Sequence, residues 1–232
     1  MNKSLLSASL FAVALAAPLA QAHEAGDIIV RAGAITVNPK ADSSSVKVDQ
    51  GPLSGTNLGG KATMSSDTQL GLNFAYMLTN NIGIELLAAS PFEHDVKIKG
   101  TALPAANGKL GTLKHLPPTL SVVYYPLDAK SPFQPYIGGG INYTWIYDEH
   151  VGSEAQSNGF SNFKAKNSWG LAWQVGADYM LTDNIMLNAQ VRYIDIDTRA
   201  TVENNAVAPG TRAKVNVDVD PFVYMVGLGY KF

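Results

Sequence analysis

Residues 168–181 read SWGLAWQVGADYML. Trp169, Leu171, Trp173, Val175, Ala177, Tyr179 and Leu181 take every second position, with Ser168, Gly170, Ala172, Gln174, Gly176, Asp178 and Met180 between them. Period two sends the two sets to opposite faces of an extended strand, one bulky and apolar, the other mostly small or polar. Helical spacing would mix them. Trp169 and Tyr179 are ten positions apart on the apolar face. That is roughly 33 Å of strand, or about 25 Å in height at a tilt of about 40°, which matches the apolar band of an outer-membrane barrel. In a soluble sandwich the polar face meets water and carries Lys and Glu. Here it is poor in both, so the stretch reads as a strand whose apolar face points away from the barrel axis into hydrocarbon.

The texture recurs along the chain. At 67–79, DTQLGLNFAYMLT sets Leu70, Leu72, Phe74, Tyr76 and Leu78 against Gln69, Gly71, Asn73, Ala75 and Met77. At 225–232, MVGLGYKF sets Val226, Leu228, Tyr230 and Phe232 against Met225, Gly227, Gly229 and Lys231. Eight such segments are expected, near 26–37, 67–79, 82–97, 114–126, 135–148, 168–181, 185–198 and 216–232. Long connections near 38–66, 98–113, 149–167 and 199–215 alternate with short ones at Asn80-Asn81, Pro126 to Gln134 and Thr182 to Asn184. The two tightest turns repeat, LTNNI at 78–82 and LTDNI at 181–185; Asn and Asp tolerate the backbone such hairpins need. Long extracellular loops, short periplasmic turns and an even strand number are the pattern of an outer-membrane barrel. The expected fold is all-β, an eight-stranded antiparallel up-and-down transmembrane β-barrel over 23–232.

Composition and the amino terminus agree. Lys3, the apolar run Leu5 to Ala17 and Ala20-Gln21-Ala22 mark residues 1–22 as a cleaved signal peptide. The chain has no cysteine, so an exported scaffold stapled by disulfides is excluded. A net charge of −2 gives no sign of a nucleic-acid partner. Past residue 22 no apolar run is long enough for a spanning helix. Tyr76, Tyr124, Tyr179, Tyr230 and Phe232 gather near the short turns, and Tyr143, Trp145, Trp169 and Tyr193 toward the long loops, as two interfacial girdles.

Five stretches carry a family resemblance: HEAGDIIVRAG at 23–33, NIGIELLAASPFEHDV at 81–96, HLPPTLSVVYYP at 115–126, PYIGGGINYT at 135–144 and GLGYKF at 227–232. Together they resemble the OmpW family of small outer-membrane channels, most closely its OprG branch, over the whole of 23–232. The resemblance implies an eight-stranded barrel, without a wide aqueous pore, that admits small, largely apolar or zwitterionic molecules by passive diffusion. The closing Tyr230 and Phe232 resemble the signal read by the barrel-assembly machinery. A bacterial outer-membrane location, a surrounding of lipid and lipopolysaccharide, and a monomer are expected.

An eight-stranded barrel has room only for side chains or one small ligand. By alternation Arg31, Glu85, Asp178, Arg192 and Lys231 point into the lower lumen, where unpaired charges would cost several kcal/mol each. A salt-bridged plug is expected. Pro91 stands nine residues above Ile82, and Pro117, with Pro118 beside it, nine above Pro126, on hairpin neighbours. Proline cannot donate to the ladder, so a lateral window onto the lipid is expected between these strands; the resemblance implies the same exit. Leu87, Ala89, Thr119, Ser121, Asn142, Thr144, Gly170 and Ala172 are expected to line the solute path above the plug. His23, His94, His115 and His150 show no metal-ligand spacing, and the DIDT at 195–198 reads as a solvated rim. His115 and Ser121 lie roughly 20 Å apart along a strand, too far for a hydrolase set. No cofactor, metal or catalytic residue is expected. The alternative function is a structural or adhesive barrel whose loops bind host or phage components.

Overall fold

A computed structural model describes residues 22–232. The signal-peptide reading falls on residues outside that range, apart from Ala22. Eight strands form the barrel wall: β1 (Ile28–Asn38), β2 (Asp67–Met77), β3 (Ile82–Ala89), β4 (Thr119–Tyr124), β5 (Phe133–Val151), β6 (Ser168–Met180), β7 (Ile185–Ile194) and β8 (Phe222–Lys231). Each pairs antiparallel with its sequence neighbours, and β8 returns to β1 to close the ring. At the closing seam Gly33 faces Gly227. A Cβ on either would lie 2.2 Å from a carbonyl oxygen across the seam, so only glycine lets the two strands meet there. The amide of Phe232 donates to the Ile28 carbonyl at 2.9 Å, pinning the last residue to the first strand.

The repeated turn sequence folds into a repeated turn. In LTNNI the amides of Leu78 and Thr79 donate to the Ile82 carbonyl at 2.8 and 3.1 Å, and Thr79 Oγ1 accepts from the amides of Asn81 and Ile82 at 3.2 and 2.9 Å. LTDNI makes the same four bonds from Leu181, Thr182, Asn184 and Ile185, at 2.8, 3.1, 3.3 and 2.9 Å.

Within the wall the two faces separate as the alternation requires. On β6, Trp169 is 71% and Trp173 60% exposed, whereas Ser168, Ala172, Gln174 and Asp178 are buried. Farther out the sense inverts. The segments read as long loops carry further paired strands, Val46–Gln50, Asn57–Met64, Phe92–Thr101, Gly108–Leu116, Phe160–Ala165, Asp197–Asn204 and Arg212–Asp218, which extend the wall beyond the bilayer. On Phe92–Thr101 it is Phe92, His94, Val96 and Ile98 that are buried, while Glu93, Lys97 and Lys99 are exposed. The surrounding solvent has changed from lipid to water, so apolar side chains turn inward, each contributing roughly 1.5–3 kcal/mol on full burial. Val46–Gln50, Asn57–Met64 and Phe160–Ala165 lie wholly in segments read as loops, where Gly, Ser and charged residues interrupt the pattern, and the other four were read only in part.

Four expected strands are each broken into two. Expected 82–97 divides at Ser90-Pro91 and 114–126 at Pro117-Pro118; 185–198 divides at Asp195-Ile196, and 216–232 at Val219 to Pro221. Proline lacks the amide that would continue the ladder at three of these breaks.

Candidate functional site

The lumen is layered. At its periplasmic end Ile29, Met77, Val123, Tyr125, Met180 and Met186 pack into a buried apolar floor. Above it lies a charged layer. Arg31, from β1, grips Asp178 of β6 through Nε at 3.0 Å and Nη2 at 2.5 Å. Its Nη1 donates to Asn73 at 3.1 Å and lies 3.5 Å from Glu85, and its Nη2 also donates to the Tyr125 hydroxyl at 2.9 Å. Glu85, from β3, pairs with Arg192 of β7 at 2.6 Å. Gln174 bridges them, donating to Glu85 at 3.0 Å and accepting from Arg192 Nε at 2.8 Å. Asn188 donates to Asp178 at 2.8 Å, and His23 Nε2 lies 3.4 Å from the same carboxylate. All these side chains are buried. Two arginines and two carboxylates thus balance, with a bidentate contact between Arg31 and Asp178. Such a group is stable only when its remaining donors and acceptors are met, and Asn73, Tyr125, Gln174 and Asn188 supply much of that. Asn73, Gln174 and Asn188 were legible as lumen-facing from alternation, and so was Tyr125, which keeps the parity of Thr119 and Ser121 within the expected segment 114–126 although the observed strand ends at Tyr124. Lys231 stands apart from the Arg31–Asp178 group, at the rim, its Nζ 3.9 Å from Asp27.

Above the charged layer Leu87, Thr119, Ser121, Asn142, Thr144 and Ala172 are buried inside the wall, and Ala89 is half-buried. A polar chain climbs this side: Thr144 Oγ1 donates to Asn142 Oδ1 at 2.7 Å, and Asn142 Nδ2 donates to Thr119 Oγ1 at 3.0 Å and to the Pro117 carbonyl at 3.0 Å. Gly170 corrects its expected place on the path. A Cβ there would lie 1.8 Å from the Asp195 carbonyl oxygen, so this glycine lets the backbone after β7 approach. Ile35, Ile194, Val223 and Met225 are also buried at this level. They make the upper lumen more apolar than the expected residues alone; alternation from Arg31 and Arg192 points to Ile35 and Ile194, and alternation along the last strand to Val223 and Met225.

One seam of the wall is interrupted. β3 pairs with β4 up to Leu87↔Thr119, and pairing resumes outside with Phe92↔His115. Between these, residues 88–91 and 116–118 make no cross-strand pair with each other, although both neighbouring seams hold. Ala88 and Ala89 remain paired with β2, and the Pro118 carbonyl accepts from the Tyr143 amide of β5 at 3.1 Å. Pro91 and Pro118 are exposed and Pro117 is buried, so all three prolines flank this interval.

The structure also brings together two residues that sequence spacing left apart. His94 and His115 meet Nε2 to Nε2 at 2.7 Å just outside the interrupted seam, stacked beside Phe92. His94 Nδ1 meets the Ser65 carbonyl at 2.5 Å. It must donate there, so its Nε2 accepts from His115. Burial, aided by His94, pushes His115 down to about 3, and burial lowers His94 as well. Among the described residues one acidic group, Asp195, Asp197 and Asp220, has carboxylate oxygens within 4.8 Å of one another. Tyr193 donates to Asp220 at 3.0 Å, at the foot of the extension. Higher in the extension a cavity of about 160 Å³ is walled by Val46, Leu58, Ile98, Leu110, Phe160 and Val202.

A sequence model of the OmpW family matches residues 24–232, the full span of this barrel. The chain belongs to the OmpW family. It is a β-barrel of the bacterial outer membrane, and its membership of the OmpW family is consistent with an outer-membrane channel. It is 42% identical to outer membrane protein W of Vibrio cholerae over 232 residues, covering 100% of both chains. The crystal structure of OprG from Pseudomonas aeruginosa superimposes with a TM-score of 0.84 at 48% identity, covering 91% of this chain and 98% of that one. A more distant OmpW relative, the dibenzothiophene metabolism operon protein PahQ of Pseudomonas aeruginosa, is 28% identical over 174 residues, 75% of this chain and 76% of that one.

Proposed function

We propose that this barrel conducts small, largely apolar or zwitterionic molecules by passive diffusion from the cell exterior into its upper lumen and releases them sideways between β3 and β4 into the outer leaflet. The observation that carries this reading is the interrupted seam, Leu87↔Thr119 below and Phe92↔His115 above, with prolines on both edges. In hydrocarbon an unpaired ladder is costly, and three prolines remove amides that would otherwise close it. The buried Arg31–Asp178 and Glu85–Arg192 pairs, over their apolar floor, support an exit above the periplasmic end. The apolar side chains at Ile35, Leu87, Ile194 and Met225, and the cavity higher in the extension, favour solutes with little charge. The name of the relative PahQ refers to metabolism of an aromatic sulfur heterocycle, which agrees with an apolar solute class. Residues 1–22 are proposed as the export signal, and Tyr230 and Phe232 as the contacts of the assembly machinery.

The test is uptake into proteoliposomes across a panel of small amino acids and hydrocarbons, with the Pro117→Ala/Pro118→Ala variant beside wild type. Restoring two amides lets the seam close, and uptake is expected to fall severalfold while heat-modifiable mobility, the sign of a folded barrel, is unchanged. Unaltered uptake in a folded variant would refute the lateral exit.

A further inference from the structure

Three pairs of lysines stand directly opposite one another on the outer face of the extension. Lys47 faces Lys214, Lys61 faces Lys99, and Lys97 faces Lys109. The five strands concerned are consecutive in the sheet: Arg212–Asp218, Val46–Gln50, Asn57–Met64, Phe92–Thr101 and Gly108–Leu116. Their inward positions, Val48, Ala62, Ile98, Leu110 and Val215, are buried, so the lysines point outward from the wall. Like charges directly opposite destabilise a sheet, so three such pairs side by side cost stability unless anions bridge them. Carboxylates meet only part of the charge. Asp42 lies 3.1 Å from Lys61, Asp95 2.7 Å from Lys109, and Asp49 3.9 Å from Lys214, but Asp49 is held more closely by Arg212 at 2.8 Å. Lys47, Lys97 and Lys99 have no carboxylate partner among the described residues. The chain as a whole carries −2, so the excess is local; Asp195, Asp197 and Asp220 lie off these five strands, and Asp218 lies at the far end of Arg212–Asp218, four residues from Lys214.

The height and setting of the band select its partner. Lys97 and Lys99 lie six and eight residues beyond Pro91, about 15–20 Å above it at the tilt of such strands. Phe92–Thr101 and Gly108–Leu116 stand over β3 and β4, whose Ile84, Leu86, Leu120 and Val122 are exposed to lipid. A molecule with acyl chains against these residues and phosphorylated sugars above them would meet hydrocarbon below and ammonium groups above. We propose that the lysine band is a docking surface for the phosphorylated saccharides of lipopolysaccharide in the surrounding outer leaflet. Bound phosphates convert each repelling pair into a bridge, and the site is independent of any solute the lumen passes.

Protein folded in zwitterionic micelles is titrated with purified lipopolysaccharide, with the same lipid after dephosphorylation, and with a soluble sulfated polysaccharide. The Lys47→Gln/Lys97→Gln/Lys99→Gln variant removes only lysines without a carboxylate partner, and Lys130→Gln/Lys166→Gln serves as the control. The triple variant is expected to lose about tenfold in affinity for intact lipopolysaccharide, the control none, and the dephosphorylated lipid to bind both weakly and alike. Without lipid the triple variant is expected to melt no lower than wild type, since it relieves repulsion. Should it fold poorly, Lys97→Gln alone reports the same loss in smaller measure. Equal affinity of wild type and variant, tight binding of the dephosphorylated lipid, or a preference for the soluble polyanion would each overturn the assignment.

Discussion

Asp178 and His115 are both buried, yet their environments differ in kind. Asp178 is held as a carboxylate by Arg31, with Asn188 and His23 also within reach. Replacing it alone leaves the buried Arg31 guanidinium without its main counter-charge, and breaking a buried pair this way costs about 3–5 kcal/mol. Asp178→Asn is therefore expected to lower the urea midpoint in lipid substantially. The Arg31→Met/Asp178→Leu double variant should lose less than the two single changes summed, because neither partner is stranded. His115 is buried neutral. Its folded value of about 3 lies below the ordinary 6.5, so an opened form binds more protons between those limits. The corner formed by His94, His115 and Phe92, where the Asp67 carboxylate acts on both rings in the opposite sense, is thus most stable above about pH 6.5. His115 makes it lose stability as pH falls from 6.5 toward 3, by up to about 1.4 kcal/mol per pH unit, and the lowered His94 acts in the same direction. Amide exchange on Phe92–Thr101 measured from pH 7 to pH 4 should show protection falling, and the His94→Leu/His115→Leu variant should flatten the trend.

At the scale of elements, the wall depends on turns and closures that are local in sequence. Thr79 and Thr182 each accept two amide bonds within their turns. Alanine at either is expected to cost about 1 kcal/mol, and the two changes should add, since the turns share no partner; equilibrium unfolding in lipid reads both. Proline acts in the opposite direction. It ends β3 and β4 outside the bilayer midplane while the ladders to β2 and β5 continue, so the gap in pairing is confined to one seam. Sequence reading located those prolines and their common height because hairpin neighbours share register through a short turn. It missed the strands of the extension because the apolar face changes side where lipid gives way to water, and a search for one fixed polarity then sees only polar connections.

For the whole molecule, the barrel is a sequence of layers along one axis: apolar floor, charged layer, apolar upper lumen, and an extension packed like a soluble protein. The charged layer joins β1, β3, β6 and β7 across the lower lumen, and on the proposed reading it bars ions. Planar-bilayer recording of the folded protein is expected to show no steady ohmic current proportional to salt. Glu85→Ala/Arg192→Ala, which removes one pair intact, should raise ion leak measurably; a wild-type current of porin size would contradict the closed layer.

What the amino-acid order determined by itself is which face each residue of the membrane wall takes, where that wall turns on its short-loop side, and that eight apolar bands of bilayer height must close on themselves, because a period of two and the cost of unpaired amides in lipid leave no other arrangement. Which inward residues meet was decided only by the closed barrel. Arg31 reaches Asp178 and Glu85 reaches Arg192 across 147 and 107 residues, and the meeting of His94 with His115 depends on a register reset beyond the prolines. Alternation fixes direction from the axis but not height or stagger around it, and those follow from strand pairing over the whole ring.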